Sequence, residues 1–303
     1  MGHLDLEKLG TEARNARSAA LDAMSTLQLV TAMNAEDLGV AGAVQQALPE
    51  IAAAVDAVAE RMRAGGRLVY VGAGTSGRLG VLDAAECPPT FSAHSGQVIG
   101  LIAGGERALL KAVEGAEDDP QLAANDLRSL GLTAADVIVG VAASGRTPYV
   151  LGALEEARSR RALTVALTMN PGSVVAQGCD HAIELATGAE VLTGSTRLKA
   201  GTATKMVLNM ISTGAFVRLN KVYENLMVDV KATNEKLRAR SVRIVAQACR
   251  CEHVVAQRAL ERADGQVKVA IVARLRDVGA QRAAALLERH GGSVRAALAE
   301  ARS

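Results

Sequence analysis

The residues with the clearest chemical content lie in three hydroxyl-rich turns. Gly72-Ala73-Gly74-Thr75-Ser76-Gly77-Arg78 has G-x-G-x-x-G spacing and follows the apolar run Leu68–Val71. That spacing serves a dinucleotide when an acid about 20 residues on, at the end of the next strand, holds a ribose hydroxyl. Here the next apolar run, Val98–Ile102, ends in Ala103-Gly104-Gly105, with no acid before Glu106. The hydroxyls of Thr75 and Ser76, beside the free N–H groups of a helix N-terminus, suit a compact phosphate monoester instead. Gly74, Thr75, Ser76, Gly77 and Arg78 are the first candidate ligands. A second turn, Ser144-Gly145-Arg146-Thr147-Pro148, follows the run Val137–Val141 and places a proline near the first position of a helix. A third, Thr193-Gly194-Ser195-Thr196-Arg197, precedes a long helical stretch and has Lys199 close by. Any one of these turns can be an ordinary helix cap. Three together point to one anion, which adds Ser144, Gly145, Arg146, Thr147, Ser195, Thr196 and Lys199 to the candidates.

Among the charged groups, Arg78 and Arg146 have the fork that suits a phosphate or a carboxylate, and Lys199 supplies a point charge. Glu86 precedes Cys87-Pro88-Pro89, where the two prolines predict an extended or turned chain after the helix. Glu117 stands in an acidic run with Glu114, Asp118 and Asp119, and such runs usually face water. Residue type alone therefore leaves Glu86 a solvated helix-end carboxylate and Glu117 one acid among four. The five histidines (His3, His94, His181, His253, His290) show no metal-ligand spacing, and the four cysteines form no C-x-x-C pair, so no metal is expected. Cys87 reads as a small buried thiol.

The elements that must position these groups follow from the apolar pattern. Short runs at Leu68–Val71, Val98–Ile102, Val137–Val141, Leu163–Leu167 and Ala182–Leu185 alternate with amphipathic stretches such as Ala108–Val113 and Tyr149–Ala157. This predicts βαβ units: an α/β fold with a five-stranded parallel sheet flanked by helices and ligands at the carboxyl ends of its strands. Residues 1–57 read as an N-terminal helical segment, 58–221 as the sheet domain and 222–303 as a helical region ending in a small bundle. Ile51, Val55, Val58 and Met62 make one helical face, stopped by Gly65–Gly66. A long helix is expected over about 196–222, and short ones at Val254–Ala263, Gln266–Leu275 and Gln281–Arg289, with Ser293 capping a last turn.

Composition narrows the function. Apolar residues make up 49 % of the 303, enough for a sizeable core, but aromatics are only 2 %, too few for base-stacking surfaces. Net charge is +2 with no basic run, so no nucleic-acid partner is expected. The first residues carry no apolar signal region and no run of about 18 apolar residues occurs, so neither export nor a membrane span is expected. The expectation is a cytoplasmic protein.

The motifs then combine. GAGTSGRLG (72–80) runs into DAAECPPT (83–90), followed by AVEGAED (112–118), ASGRTPY (143–149), TGSTRLKAGT (193–202) and NLMVDV (225–230). This set closely resembles the N-acetylmuramic acid 6-phosphate etherases, bacterial lyases built on the sugar-isomerase (SIS) domain, and the resemblance covers nearly the whole chain. It implies cleavage of the D-lactyl ether by elimination and water addition, without metal or other cofactor. It implies that Glu86 and Glu117 are the catalytic pair, with Glu86 protonating the departing lactate oxygen and Glu117 taking the C2 proton. It further implies a homodimer with the active site near the subunit interface. An aldose–ketose isomerase or a non-catalytic sugar-phosphate sensor would share the turns. Retention of both glutamates and of ECPPT favours the lyase.

Overall fold

The computed structural model describes residues 9–230 and 235–301; His3 and the other first eight residues lie outside the described residues. The chain divides into two compact units, one of residues 1–85 and 96–212, the other of residues 86–95 and 213–303.

The first unit opens with short 3-10 turns and the helices α1 (Thr26–Asp37), α2 (Val40–Gln46) and α3 (Leu48–Arg63). Ser25 and Gln28 close a capping box on α1. Ile51, Val58 and Met62 of α3 are buried, as their spacing predicts. Then follow β1 (Leu68–Gly72), α4 (Gly74–Phe91), β2 (Val98–Ile102), α5 (Arg107–Leu110), α6 (Pro120–Ser129), β3 (Val137–Ala142), α7 (Pro148–Ser159), β4 (Leu163–Thr168), β5 (His181–Glu184) and α8 (Lys199–Arg218). All five strands fall where the apolar runs put them and form one parallel sheet in the order β2-β1-β3-β4-β5. Strands β1, β3 and β4 are buried at every position, because helices cover both faces of a parallel sheet. On one face Val69, Val71, Ile138, Tyr149, Val150 and Leu154 form a continuous core.

Two predicted helices change. The amphipathic stretch 108–113 keeps one four-residue turn, after which Lys111 is extended and Leu110 is exposed; flanked by Gly104–Gly105 and Gly115, it has no length over which to propagate. The long helix begins only at Lys199, because Ser195–Leu198 first close tight turns.

The second unit holds the end of α4, the end of α8, a hairpin of β6 (Val222–Tyr223) and β7 (Leu226–Met227), and the helices α9 (Glu235–Cys249), α10 (His253–Arg262), α11 (Val267–Arg276), α12 (Ala280–Arg289) and α13 (Val294–Ala299). Its core gathers Val228, Ile244, Val245, Ile271, Leu286 and Leu287. Ser293 accepts from Ala296 N at the start of α13, the cap read from the sequence. Among the described residues no single helix is long and apolar enough to cross a membrane.

Candidate functional site

The strand order creates the site. The chain leaves β1 to form β2 on one side and β3 on the other, so a crevice opens where the connections diverge, outside the carboxyl ends of β1 and β3. Gly72 pairs with Val141 across those strands, so the turns that follow them emerge side by side.

The first turn is shorter than a loop. Helix α4 starts at Gly74, two residues after the strand, with Gly74 at φ +53°. A Cβ built on Gly77 would lie 2.6 Å from the Gly72 carbonyl oxygen and 2.6 Å from Ile102 Cγ1. Only glycine lets the helix sit this close to the strands. The result is a helix N-terminus aimed out of the sheet, with Thr75 and Ser76 in its first turn and N–H groups that the helix itself cannot satisfy.

Arg78, one turn further along α4, donates from Nε to Leu109 O at 3.1 Å and from Nη2 to Ala108 O at 2.7 Å. It thereby fastens the connection after β2, which carries the acidic run. Gly74, Arg78, Glu114, Gly115 and Glu117 line one cleft of about 200 Å³. Buried Ala116 anchors a 3-10 turn, Ala116–Asp118, that leaves Glu117 exposed. Asp119 is used differently: it caps α6 by accepting from Gln121 N and Leu122 N. The structure thus sets Asp119 apart, while Glu114 and Glu117 share the cleft.

In the second turn Gly145 has φ +72°, and a Cβ there would overlap Ser173 Cβ at 2.2 Å. Ser144 and Arg146 face a second cleft beyond this turn. Tyr149 follows, fully buried, with its hydroxyl donating to Asp126 at 2.6 Å; burial and the Asp126 carboxylate push its phenol well above the usual range.

The third turn departs most from expectation. Ser195 N and Thr196 N bond back to Leu192 O and Gly194 O. The first N–H groups of α8, those of Lys199 and Ala200, donate at 3.0 and 2.9 Å to the fully buried carboxylate of Glu190. A carboxylate of the chain therefore occupies the helix N-terminus at which an external phosphate was expected. The Lys199 side chain is also taken: Nζ lies 2.6 Å from Glu36 and the residue is buried, so it is not a phosphate ligand here. The start of α8 still lies against the first turn, because Thr75 Cγ2 comes within 3.5 Å of the Cβ position of Gly201.

Glu86 is exposed on α4. The helix does not end before Pro88 but runs to Phe91, with both prolines inside it. Proline's fixed φ fits a helix, and what it removes is hydrogen bonding. Cys87 and Phe91, one turn apart, are buried, and Phe91 stacks on Phe216 with centroids 4.6 Å apart. This packing holds the last turn, while the Thr90 hydroxyl donates to Glu86 O at 2.8 Å. Ser92, at φ +51°, then ends the helix.

Sequence reasoning missed Asp83, Glu190 and Ser173. Asp83 is buried one turn before Glu86 and accepts from Tyr70, Asn209 and Ser212 at 2.8, 2.6 and 3.1 Å. Burial pushes its carboxyl up against the pull of these bonds. Its i, i+3 spacing from Glu86 was the available signal. Glu190 and Ser173 carry none: the N–H groups that Glu190 accepts from lie nine and ten residues on, beyond an irregular turn, and the Ser173 hydroxyl has no partner among the described residues. Among the described residues no group of three or more His, Cys, Asp or Glu side chains could hold a metal ion.

The five-stranded parallel sheet, in the order β2-β1-β3-β4-β5 with hydroxyl-rich turns at its switch point, is that of a sugar-isomerase (SIS) domain. The SIS domain pattern matches residues 121–213, and that of the N-terminal SIS domain of glucokinase regulatory protein matches residues 50–158. The phosphoheptose isomerase of Neisseria gonorrhoeae has a similar fold, with a TM-score of 0.50 and 19 % identity over 63 % of this chain and 98 % of that one. Full-length similarity is narrower in kind. The chain is 58 % identical to the N-acetylmuramic acid 6-phosphate etherase of Streptomyces avermitilis over 98 % of its own length and 96 % of the relative's. It is 59 % identical to that of Streptomyces coelicolor over 98 % and 95 %. The chain belongs to the N-acetylmuramic acid 6-phosphate etherase family.

Proposed function

We propose that this protein is a carbon–oxygen lyase that cleaves the D-lactyl ether of N-acetylmuramic acid 6-phosphate, giving N-acetylglucosamine 6-phosphate and D-lactate, in cell-wall amino-sugar recycling. The observation that carries the reading is the shared cleft in which Glu117 faces the N-terminus of α4. Thr75 and Ser76 follow Gly74 at that helix start, so a phosphate held by their hydroxyls anchors its sugar next to the cleft that Glu117 lines. An unactivated ether resists hydrolysis, but in the open-chain aldehyde the carbonyl acidifies the C2 hydrogen. Glu117 takes that proton, and the C2–H electron pair becomes the C2–C3 double bond. The C3–O bond breaks, and Glu86 supplies the proton to the departing lactate oxygen. Water then adds at C3 and C2 regains a proton. The two carboxyls exchange roles between the half-reactions, so protons balance and no redox partner enters. Gly74, Thr75, Ser76 and Gly77, with Ser144, Gly145 and Thr147 on the neighbouring turn, hold the phosphate and sugar. Ser195 and Thr196 offer side-chain hydroxyls beside them. A homodimer in the cytoplasm completes the reading.

Turnover in ¹⁸O-labelled water tests it. Free D-lactate without label and a sugar product labelled at C3 are expected. Label in the lactate means direct displacement and removes the elimination route. Tight sugar-phosphate binding without lactate release removes the lyase.

A further inference from the structure

At the carboxyl ends of β3 and β4 lies a second cleft, of about 380 Å³, lined by Ser144, Arg146, Asn170 and Ser173 with Gly10 and Gly188. Its polar groups fall into two kinds. Asn170 is fully used: Oδ1 accepts from Thr11 N, and Nδ2 donates to Thr11 Oγ1 and to Ala143 O. Ser173 is not. It is 9 % exposed, and its Oγ is buried without a hydrogen-bond partner. It stands at the N-cap of the 3-10 turn Val174–Ala176, yet its hydroxyl does not cap that turn. The Thr187 hydroxyl, between the lining residues Ala186 and Gly188, is likewise buried and unpartnered. Arg146 makes no hydrogen bond or ion pair among the described residues. A buried hydroxyl left unpaired is destabilising, so its place beside an uncommitted guanidinium points to a ligand that supplies the missing acceptor.

The position selects the ligand. Strand β3 has β1 on one side and β4 on the other. The phosphate-binding helix start belongs to the β1 side, whereas this cleft lies on the β4 side. Gly145 separates them: its carbonyl accepts from Val175 N at 2.9 Å, and a Cβ built on it would meet Ser173 Cβ at 2.2 Å. From β1 to β4 is on the order of 10 Å, comparable to an extended hexose with a phosphate at one end. We propose that this cleft is the subsite for the carboxylate of the D-lactyl group, held by the Arg146 fork with the Ser173 hydroxyl as a second donor; the assignment rests on the lyase reading above. Arg146 thereby selects the lactyl-bearing sugar over the otherwise identical sugar phosphate that lacks it.

Full-length wild-type, Arg146→Ala, Arg146→Lys and Ser173→Ala proteins are compared in two measurements: KM for N-acetylmuramic acid 6-phosphate, and the inhibition constant of N-acetylglucosamine 6-phosphate, which keeps the phosphate and sugar but has no carboxylate. Arg146→Ala is expected to raise KM about 10- to 100-fold, the loss of a charge-assisted pair, with smaller rises for the other two. The inhibition constant stays unchanged in all three and also reports that each variant is folded. A parallel rise in both quantities places Arg146 on the phosphate and overturns the subsite. An unchanged KM overturns it as well. Failure of the lyase reading looks different, because the wild-type protein itself then releases no lactate.

Discussion

Lys199 Nζ lies 2.6 Å from Glu36 Oε2, with both side chains buried, while Arg17 reaches the other carboxylate oxygen, also at 2.6 Å, from the surface. Burial raises the Glu36 carboxyl, and the Lys199 bond, with further hydrogen bonds and charges, more than reverses this and holds it low. Lys199→Met is expected to cost about 3–5 kcal/mol in urea unfolding, because it leaves a buried carboxylate with only the exposed Arg17 and a hydrogen bond from Asn15. KM for the sugar phosphate stays near the wild-type value, and Glu36→Gln in the same chain recovers part of the loss. A large rise in KM at unchanged stability would return Lys199 to the phosphate.

The two glutamates are separable by isotope exchange. Glu117→Gln is expected to abolish exchange of the substrate C2 hydrogen with deuterium oxide, along with lactate release. Glu86→Gln retains the exchange while lactate release falls about 10²- to 10⁴-fold, the usual worth of a positioned general acid. Exchange lost in Glu86→Gln and kept in Glu117→Gln reverses the assignment.

Gly77 tests the compressed turn. Gly77→Ala drives a methyl against the Gly72 carbonyl and Ile102, each at 2.6 Å. Overpacking of this kind costs about 1–3 kcal/mol. Relief by displacing the start of α4 also weakens phosphate binding, so KM and the inhibition constant of N-acetylglucosamine 6-phosphate rise together. Gly42→Ala is the control: nothing lies within 4 Å of its Cβ position, inside α2, and a gain of up to about 1 kcal/mol is expected. Equal behaviour of the two variants removes the packing account of Gly77.

The difference between these glycines explains what sequence could reveal. The sheet was legible because a strand buried on both faces must be a continuous apolar run, as Val137–Val141 is. The first turn was legible because Gly72 and Gly77 answer to each other across five residues: a Cβ on Gly72 would lie 2.8 Å from Gly77 N, and one on Gly77 2.6 Å from Gly72 O. Lys199 was misread because its partner, Glu36, is 163 residues distant, and residue type alone cannot tell a buried ion pair from a ligand. The Pro88-Pro89 pair was misread as a stop because local propensity was weighed without the burial of Cys87 and Phe91. Ser173 was invisible, since nothing near it in the chain announces a hydroxyl left without a partner.

Asp136 sets the acid limit of the fold. Its carboxylate accepts from Arg67 N and Nε, both at 2.9 Å, from Arg67 Nη2 at 2.7 Å and from Thr133 N at 2.8 Å, fixing the edges of β1 and β3. Burial raises its carboxyl, but the Arg67 side chain and the two backbone donors override this and hold it at about 2, below the unperturbed 3.8. A carboxyl depressed in the folded state contributes stability above its unfolded pKa and loses it as pH falls through the folded one. The contribution, on the order of 2 kcal/mol, is therefore complete above about pH 4 and disappears between there and pH 2. The difference in unfolding free energy between wild type and Asp136→Asn should be flat from pH 7 to pH 5 and then shrink over that window. A difference that persists undiminished at pH 2 would show that packing, rather than the ionised carboxylate, holds Arg67 in place.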